Sequence, residues 1–453
     1  MKKETFILFC LVLVTFLIMG CKQGAKKEEV PASVKKPNIV LILSDDQAWS
    51  DYGFMGHELV QTPNIDKLAS QSIVFPRGYV PTGVCRPSLM TLVTGLYPHQ
   101  HKITGNDPRG GWRNPSYPRE ELLANVDRLE TLPKILAKEG YLSHQSGKWW
   151  EGDYTRGGFT HGMTQGQRHG DEGLKIGREG MDSIFQFVNQ AVEEDKPFYV
   201  WYAPFLPHTP HNPPQRLLDK YTDLDLTPSV AKYYAMIEWF DETCGQLVDF
   251  LDEKGLRENT LIYYACDNGW IQKQNANGFD VGSKQTAMDG GVRTPIMFSM
   301  PGTLEPAKRT ELLSTIDLFP TILNSAGIKT DKNLPGLNVW DQLTDAKGIS
   351  RNAIFGEGYS HDMIDKDNPE ASLAYLWCIE DDWKLILCYD GQIEGNGVFT
   401  HEEMRTQPIR LYNLAKDPYE KNNLASKDPE KVQHLKKKIE GWYPVKDRSI
   451  VSN

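Results

Sequence analysis

Positive charge is in short supply in this chain: 50 lysines and arginines stand against 60 aspartates and glutamates, a formal net charge of -10. No basic cluster breaks that balance, which excludes a nucleic-acid partner, because neutralising a phosphate backbone takes concentrated Lys and Arg. The deficit does not count against a small anionic substrate, since a pocket can be locally positive on an acidic protein. Cysteine is sparse as well. Of the 7 cysteines, Cys85, Cys244, Cys266, Cys378 and Cys388 show neither a zinc-type pair nor a disulfide framework. A chain of 453 residues buries enough core to need no staples. Long apolar runs are also missing. The longest candidate, Phe6 to Met19, falls short of the roughly 20 residues that a membrane-spanning helix requires. No internal repeat is visible.

That run does have a defined start and end. Lys2 and Lys3 precede it, and Leu17-Ile18-Met19-Gly20-Cys21 closes it. The closing segment resembles the lipobox of bacterial lipoproteins. The resemblance implies cleavage before Cys21 and a lipid on the cysteine. Residues 1–20 are then a signal peptide and residues 21–36 a polar, flexible tether. The mature protein is expected to be exported and lipid-anchored to a bacterial membrane, periplasmic or at the cell surface. The alternative is an uncut membrane anchor.

Beyond the tether, short apolar runs end abruptly in polar clusters. Asn38 to Leu43 runs into Ser44-Asp45-Asp46-Gln47, Phe198 to Tyr202 into a Pro/His segment, and Leu261 to Ala265 into Cys266-Asp267-Asn268-Gly269. Near-continuous apolar runs of this length suit strands buried on both faces. Helical patterns lie between them, at Leu129 to Lys138, Met181 to Val192 and Tyr233 to Leu251. The alternation predicts an α/β fold, a large mixed, mostly parallel sheet flanked by helices, with ligands bound at the carboxyl ends of its strands. The pattern loosens from Pro335 to Ile349. After it, Tyr375 to Ile379 and Trp383 to Leu387 flank an acidic turn, as in an antiparallel hairpin. The expected organisation is a catalytic domain over 37–349 and a smaller C-terminal α+β domain, containing an antiparallel sheet, over 350–453.

Two oxygen-donor pairs, Asp45-Asp46 and Asp267-Asn268, each close a buried strand. Neighbouring carboxylates repel unless a cation neutralises them, and a hard divalent ion suits such donors. For either pair alone, a solvated loop end is the alternative. Between the pairs lies Pro81-Thr82-Gly83-Val84-Cys85-Arg86-Pro87-Ser88-Leu89-Met90-Thr91-Leu92-Val93-Thr94-Gly95. Pro87 suits a first helical turn, which puts Cys85 at a helix N-terminus, where free amides and the dipole favour negative charge. This segment resembles the signature of the sulfatase family, Cys-x-Pro-Ser-Arg followed by Thr-Gly, within the alkaline phosphatase superfamily.

The resemblance implies that a sulfatase-maturing enzyme oxidises Cys85 to formylglycine, whose hydrated aldehyde is the nucleophile. It also implies one divalent metal, Ca2+ with Mg2+ as the alternative, held by Asp45, Asp46, Cys85, Asp267 and Asn268. It continues in order along the chain. Gly147-Lys148-Trp149 is similar to the family's Gly-Lys-Trp-His, whose Lys binds sulfate. Pro207-His208-Thr209-Pro210 is similar to its Pro-His-x-Pro, whose His faces the leaving group. Gly282-Ser283-Lys284, with Gly290-Gly291-Val292-Arg293-Thr294-Pro295, resembles the segment that gives a second sulfate-binding Lys. Leu411-Tyr412-Asn413-Leu414, Asp417-Pro418, Glu420 and Asn423-Leu424 look like the C-terminal signature. The implied catalytic set is Cys85, Lys148, His208 and Lys284.

Two positions depart from the pattern. Leu89 stands where the family has the Arg that supports the formylglycine and its maturation. Trp150 stands where it has the His of Gly-Lys-Trp-His, which leaves the base for sulfate release unassigned. Substitutes are expected in the Gly-, His- and Arg-rich segments Arg156 to His161 and Gln167 to Asp171, with His161, Arg168 and His169 as candidates. Trp112, Trp149 and Trp150 are candidates for stacking on a sugar ring, so the expected substrate is a sulfated carbohydrate. The rival readings are a phosphodiester or phosphonate hydrolase of the same superfamily and a catalytically degenerate lipoprotein that binds sulfated glycan.

Overall fold

Six long strands carry the larger sheet: β1 (Asn38–Ser44), β2 (Ile73–Tyr79), β3 (Leu142–Gly147), β4 (Phe198–Ala203), β5 (Thr260–Cys266) and β6 (Arg293–Ser299). They belong to a computed structural model that describes residues 35–114, 116–329, 333–389 and 409–451. The expected signal peptide and Cys21 lie outside the described residues. Every position of β1, β4 and β5 is buried, which is why they read as continuous apolar runs. Alternate side chains feed two cores. Ile39, Leu41 and Leu43 point into one, and Val40 and Ile42 into the other.

The order across the sheet is β2-β6-β5-β1-β4-β3, and two-residue strands at its margins bring the total to nine. Pairing is parallel from β5 through β1 and β4 to β3. Only β6 runs against its neighbours, β2 and β5. Helix α1 (Cys85–Thr94) follows β2 and is buried along its whole length. Helix α2 (Pro228–Glu253) starts with Pro228 in its first turn, where a missing N–H costs nothing. The helix expected from Leu129 begins only at Leu132, because the Thr131 hydroxyl accepts a hydrogen bond from the Lys134 amide and caps it there.

A second sheet, β7 (Ile354–Tyr359), β8 (Leu373–Glu380), β9 (Trp383–Cys388) and β10 (Arg410–Asn413), is antiparallel throughout. The β8-β9 hairpin turns at Asp381-Asp382, with Glu380 opposite Trp383. Helix α3 (Pro429–Trp442) covers one face through Val432, Leu435 and Ile439. The other face meets Tyr79, Val80 and Val292 through Trp377, Ile379 and Ile386. From Lys36 onward the chain packs as one compact unit. Among the described residues, no helix is long and apolar enough to cross a membrane.

Candidate active site

Because β5, β1, β4 and β3 are parallel neighbours, their carboxyl ends come together. Ser44 lies opposite Cys266, and Gly147 opposite Ala203. The residues that follow are Asp45 and Asp46, Asp267 and Asn268, and Lys148; His208 lies in the loop after β4. This crevice is where open α/β sheets bind ligands. Gly147 ends β3 at φ 83, and a Cβ there would run into the Ala203 carbonyl oxygen, so the sharp exit to Lys148 requires glycine. Asp46 adopts φ 64, a left-handed conformation that Asp tolerates, and its amide donates to Asp267 Oδ1 at 3.1 Å. Cys85 arrives from the side as the first residue of α1. Lys284 comes on the loop between β5 and β6, which is tied to the Cys85 segment by the Gln285 amide donating to Gly83 O at 2.9 Å.

Around this point the Lys148 ammonium lies 2.6 Å from Asp45 Oδ1 and 3.1 Å from Asp267 Oδ2. Lys284 Nζ lies 2.5 Å and 2.7 Å from the two oxygens of Asp46, and 3.1 Å from Cys85 Sγ. Asn268 donates to Asp46 Oδ1 at 2.6 Å, and His208 Nε2 lies 3.3 Å from Asp46 Oδ2. The other ring nitrogen, Nδ1, donates to Thr209 O at 2.5 Å, which leaves Nε2 facing the site. Asp45, Asp46, Cys85 and Asp267 place one ligand atom each within 4.8 Å of one another. All of these side chains but His208, which is 14% exposed, are almost completely buried.

Burial works to raise the Asp46 carboxyl, but Lys284, His208 and Lys148 outweigh it and hold the group below its usual range. At Asp45 burial prevails over Lys148, and with Asp267 and Asp46 adding repulsion the carboxyl sits well above its usual range. Three buried carboxyl groups thus share two ammonium groups, and the shortfall falls on Asp45, whose ionised form the protein alone does not stabilise. Two oxygens, Asp45 Oδ2 and Asn268 Oδ1, are buried without a hydrogen-bond partner, an expensive arrangement unless something binds them. The set therefore fits a divalent cation with oxygen ligands. Burial pushes the Cys85 thiol up to about 12 against the pull of Lys148 and Lys284, so an unmodified thiol would supply little thiolate nucleophile.

The residues singled out as substitutes are placed differently from one another. His169 reaches the site: its ring meets Trp150 edge-on at 4.6 Å and lies 6.1 Å from His208. It does so from strained backbone, φ 67 at His169 and φ 37 at Asp171. The Asp171 carboxylate holds the loop by accepting from the amides of Gln165 and Gln167. Arg168 grips Asp107 with Nε and Nη2, at 2.9 Å and 2.7 Å, and touches His169 Nδ1 at 3.1 Å through Nη1. His161 is not brought to the cluster. It lies opposite His144, short of the carboxyl end of β3, and its ring packs on Phe187. Trp149 and Trp150 are 1% and 2% exposed, which overturns their expected stacking on a sugar. Trp149 packs among Phe159 and Trp201, while Trp150 lies 5.1 Å from the Lys148 ammonium. Trp112 is half-buried beneath Arg113.

Sequence reasoning missed a buried ion pair beside the site. Arg86 binds Glu151 through Nε and Nη2 at 2.5 Å and 2.7 Å. Its own amide donates to Asn106 Oδ1 at 2.9 Å. The pair ties the start of α1 to the segment carrying Lys148 and Trp150. Next to His208 opens a cleft of about 770 Å³ walled by Phe205, Trp270 and Phe279.

These features define an α/β protein whose strand-end crevice joins an acidic cluster, fit for a cation, to two buried lysines. The family model described as Sulfatase matches residues 37–328, and that described as N-sulphoglucosamine sulphohydrolase, C-terminal, matches residues 279–442. The chain belongs to the sulfatase family of the alkaline phosphatase superfamily and is a sulfuric ester hydrolase. It is 25% identical over 436 residues to N-acetylgalactosamine-6-sulfatase of Homo sapiens, covering 85% of this chain and 81% of that protein. It is 27% identical over 475 residues to the ulvan-active sulfatase of Formosa agariphila, covering 94% and 84%. The crystal structure of Ps i-CgsB in complex with k-i-k-neocarrahexaose superimposes with a TM-score of 0.70 at 25% identity, covering 90% of this chain and 93% of that one.

Proposed function

We propose that this enzyme hydrolyses a sulfate ester on a carbohydrate, using formylglycine made from Cys85 and one divalent cation, Ca2+ rather than Mg2+. The observation that carries the reading is the meeting of Cys85, the three aspartates and both lysines at one point. The modification supplies a hydrated aldehyde, with one hydroxyl to attack sulfur and a second to expel the sulfate. The cation, with Asp45, Asp46, Asp267 and Asn268 as its ligands, supplies a Lewis acid; Ca2+ is favoured because an all-oxygen site accommodates it readily. Lys148 and Lys284 bind the sulfate oxygens and match the charge that builds on them. His208, its tautomer set by Thr209, exchanges a proton with the leaving oxygen at Nε2. With Trp150 in place of the family's His, His169 is the nearest candidate base for sulfate release.

A carbohydrate substrate is supported by the similar proteins, whose names point to N-acetylgalactosamine-6-sulfate and ulvan, and by the neocarrahexaose bound to the similar crystal structure. Export with a lipid on Cys21 belongs to the same reading, since the run ending at Cys21 resembles a lipobox. A catalytic domain over 37–349 and a smaller one over 350–453 are proposed with it.

Peptide mass spectrometry across Cys85, on protein from its native host or made beside a matched maturing enzyme, tests the mechanism. Thiol-to-aldehyde conversion is expected despite Leu89, and an unmodified thiol in native protein would overturn it. Turnover of sulfate esters against phosphate esters of the same alcohol separates the sulfatase from its phosphohydrolase rival. Full turnover in the His169→Ala variant would end the proposed role of His169.

A further inference from the structure

The cleft beside His208 is bare of negative charge on a chain whose formal net charge is -10. No Asp or Glu lines it, whereas three other cavities carry Asp66, Asp289 with Glu420, and Glu58 with Glu238. What lines it instead is Phe205, Trp270, His169, His208, His211 and a cation, Lys232. Lys232 stands exposed near the start of α2, and among the described residues its ammonium has no ion pair. The helix offers it none. The positions one turn away are Pro228, Ser229, Ala235 and Met236. The nearest carboxylates further along α2 are committed elsewhere: Glu238 to Lys220, Asp241 to Asn64, and Glu242 to Arg216.

The cleft is continuous with the sulfate site. His208 belongs to both, and the Lys284 ammonium lies 5.6 Å from the ring of Trp270, which forms the cleft wall. The organic part of a sulfate ester held by Lys148 and Lys284 would have this cleft, whose lining includes Lys232, beside it. The buried lysines are occupied by the scissile group, so the rim cation is left for a different charge on the same molecule. About 770 Å³ falls within the range of a site that encloses a whole ligand rather than a sulfate alone.

Resting on the sulfatase reading above, we propose that Lys232 selects glycans carrying a second anionic group, a sulfate or a carboxylate, near the scissile sulfate. The cleft walls take the sugar, and Lys232 meets the added charge at the rim, where the attraction is partly screened by salt.

The test compares kcat and KM for monosulfated disaccharides and their disulfated and uronate-containing counterparts, using wild type and Lys232→Met. Wild type is expected to favour the doubly anionic sugars. Lys232→Met is expected to cut that preference about tenfold through KM, with the loss shrinking as salt is raised. A preference unchanged by the substitution, or a wild type that favours the singly charged sugars, would overturn the proposal. Calorimetric binding of the same disaccharides to Cys85→Ala protein, with and without Lys232→Met, reads Lys232 without turnover. Converted wild type that hydrolyses none of the sulfate esters overturns the hydrolytic reading, whereas equal affinities of the two sugar classes for both Cys85→Ala proteins overturn this one.

Discussion

Two buried charge clusters sit at the two ends of the loop from Gly282 to Val292, and they are balanced differently. At the Lys284 end, Asp45, Asp46 and Asp267 face Lys148 and Lys284, and two oxygens have no partner. At the Asp289 end, Lys384 of β9 lies 2.8 Å from Asp289 and 2.9 Å from Glu420. There Asp289 is also met by Arg293 at 3.5 Å and by the Tyr79 hydroxyl at 3.1 Å, while its amide donates to Glu420 at 2.5 Å. Two carboxylates are thus matched by two cations supplied by the protein. The first cluster fits an added cation; in the second, Glu420 Oε1 has no hydrogen-bond partner but lies 2.9 Å from the Lys384 ammonium, and the cluster joins the small sheet to the loop that carries Lys284. Burying charge costs several kcal/mol per ion unless it is paired, so the third carboxyl and the two orphaned oxygens of the first cluster suit a bound cation, whereas the one-to-one pairing of the second suits a joint.

The comparison is broken most sharply by removing one member from each side. Cys85→Ala is expected to lower turnover on the order of 10^4-fold or more, as loss of a nucleophile does, with urea denaturation showing little change in stability. Lys384→Met is expected to do the reverse. Leaving Asp289 and Glu420 buried without their lysine costs about 3–5 kcal/mol of stability, while kcat per folded molecule stays within a few-fold. Equal losses of kcat in the two variants would mean that the joint and the site are one unit.

Smaller, and specific to the first cluster, is the response to divalent cation. Saturating Ca2+ at about 100 times its dissociation constant is expected to stabilise the protein by about 2.7 kcal/mol, read as a rise in melting temperature over chelator-treated protein. Asp45→Asn removes most of this gain, and Lys384→Met leaves it intact.

Much of this contrast could be read in the amino acids, and the rest could not, for identifiable reasons. β1 and β5 show as unbroken apolar runs because both their faces are buried, and the donors after them stand out because polarity changes at the strand end. The hairpin of β8 and β9 is marked by Asp381 and Asp382. The reversed direction of β6 is not marked at all, since an apolar strand reads alike in either direction. The aspartates, Cys85, Lys148, His208 and Lys284 emerge from ordered motifs. Arg86 with Glu151 and Lys384 with Asp289 are separated by 65 and 95 residues, and only packing reveals such partners. Trp149 and Trp150 mislead for a related reason: an indole in a core and an indole beneath a sugar are the same letter, and Phe159, Trp201 and His169 decide which it is.

The smallest expected effect lies in the pH dependence of the joint. Burial, opposed by Lys384 and reinforced by Asp289, pushes the Glu420 carboxyl up to about 7 from an ordinary 4.5. Between those values the folded protein holds a proton that the unfolded chain has released. The associated stability is therefore fully present below pH 4.5 and is lost as the pH rises through 7. The slope is at most about 1.4 kcal/mol per pH unit, that of a single proton. Asp46 is silent over this range, because a carboxyl held below its usual value is ionised in both states and costs stability only in stronger acid. Asp51 and Asp241 are raised as well, to about 7 and about 6, and buried histidines such as His101 and His144 are lowered. The joint is therefore read as the difference in urea midpoint between wild type and Glu420→Gln from pH 5 to 7.5 in saturating Ca2+. Wild type is expected to lose stability relative to Glu420→Gln as the pH rises through 7. Parallel curves for the two proteins would move the titrating group elsewhere and leave the joint charged across the whole range.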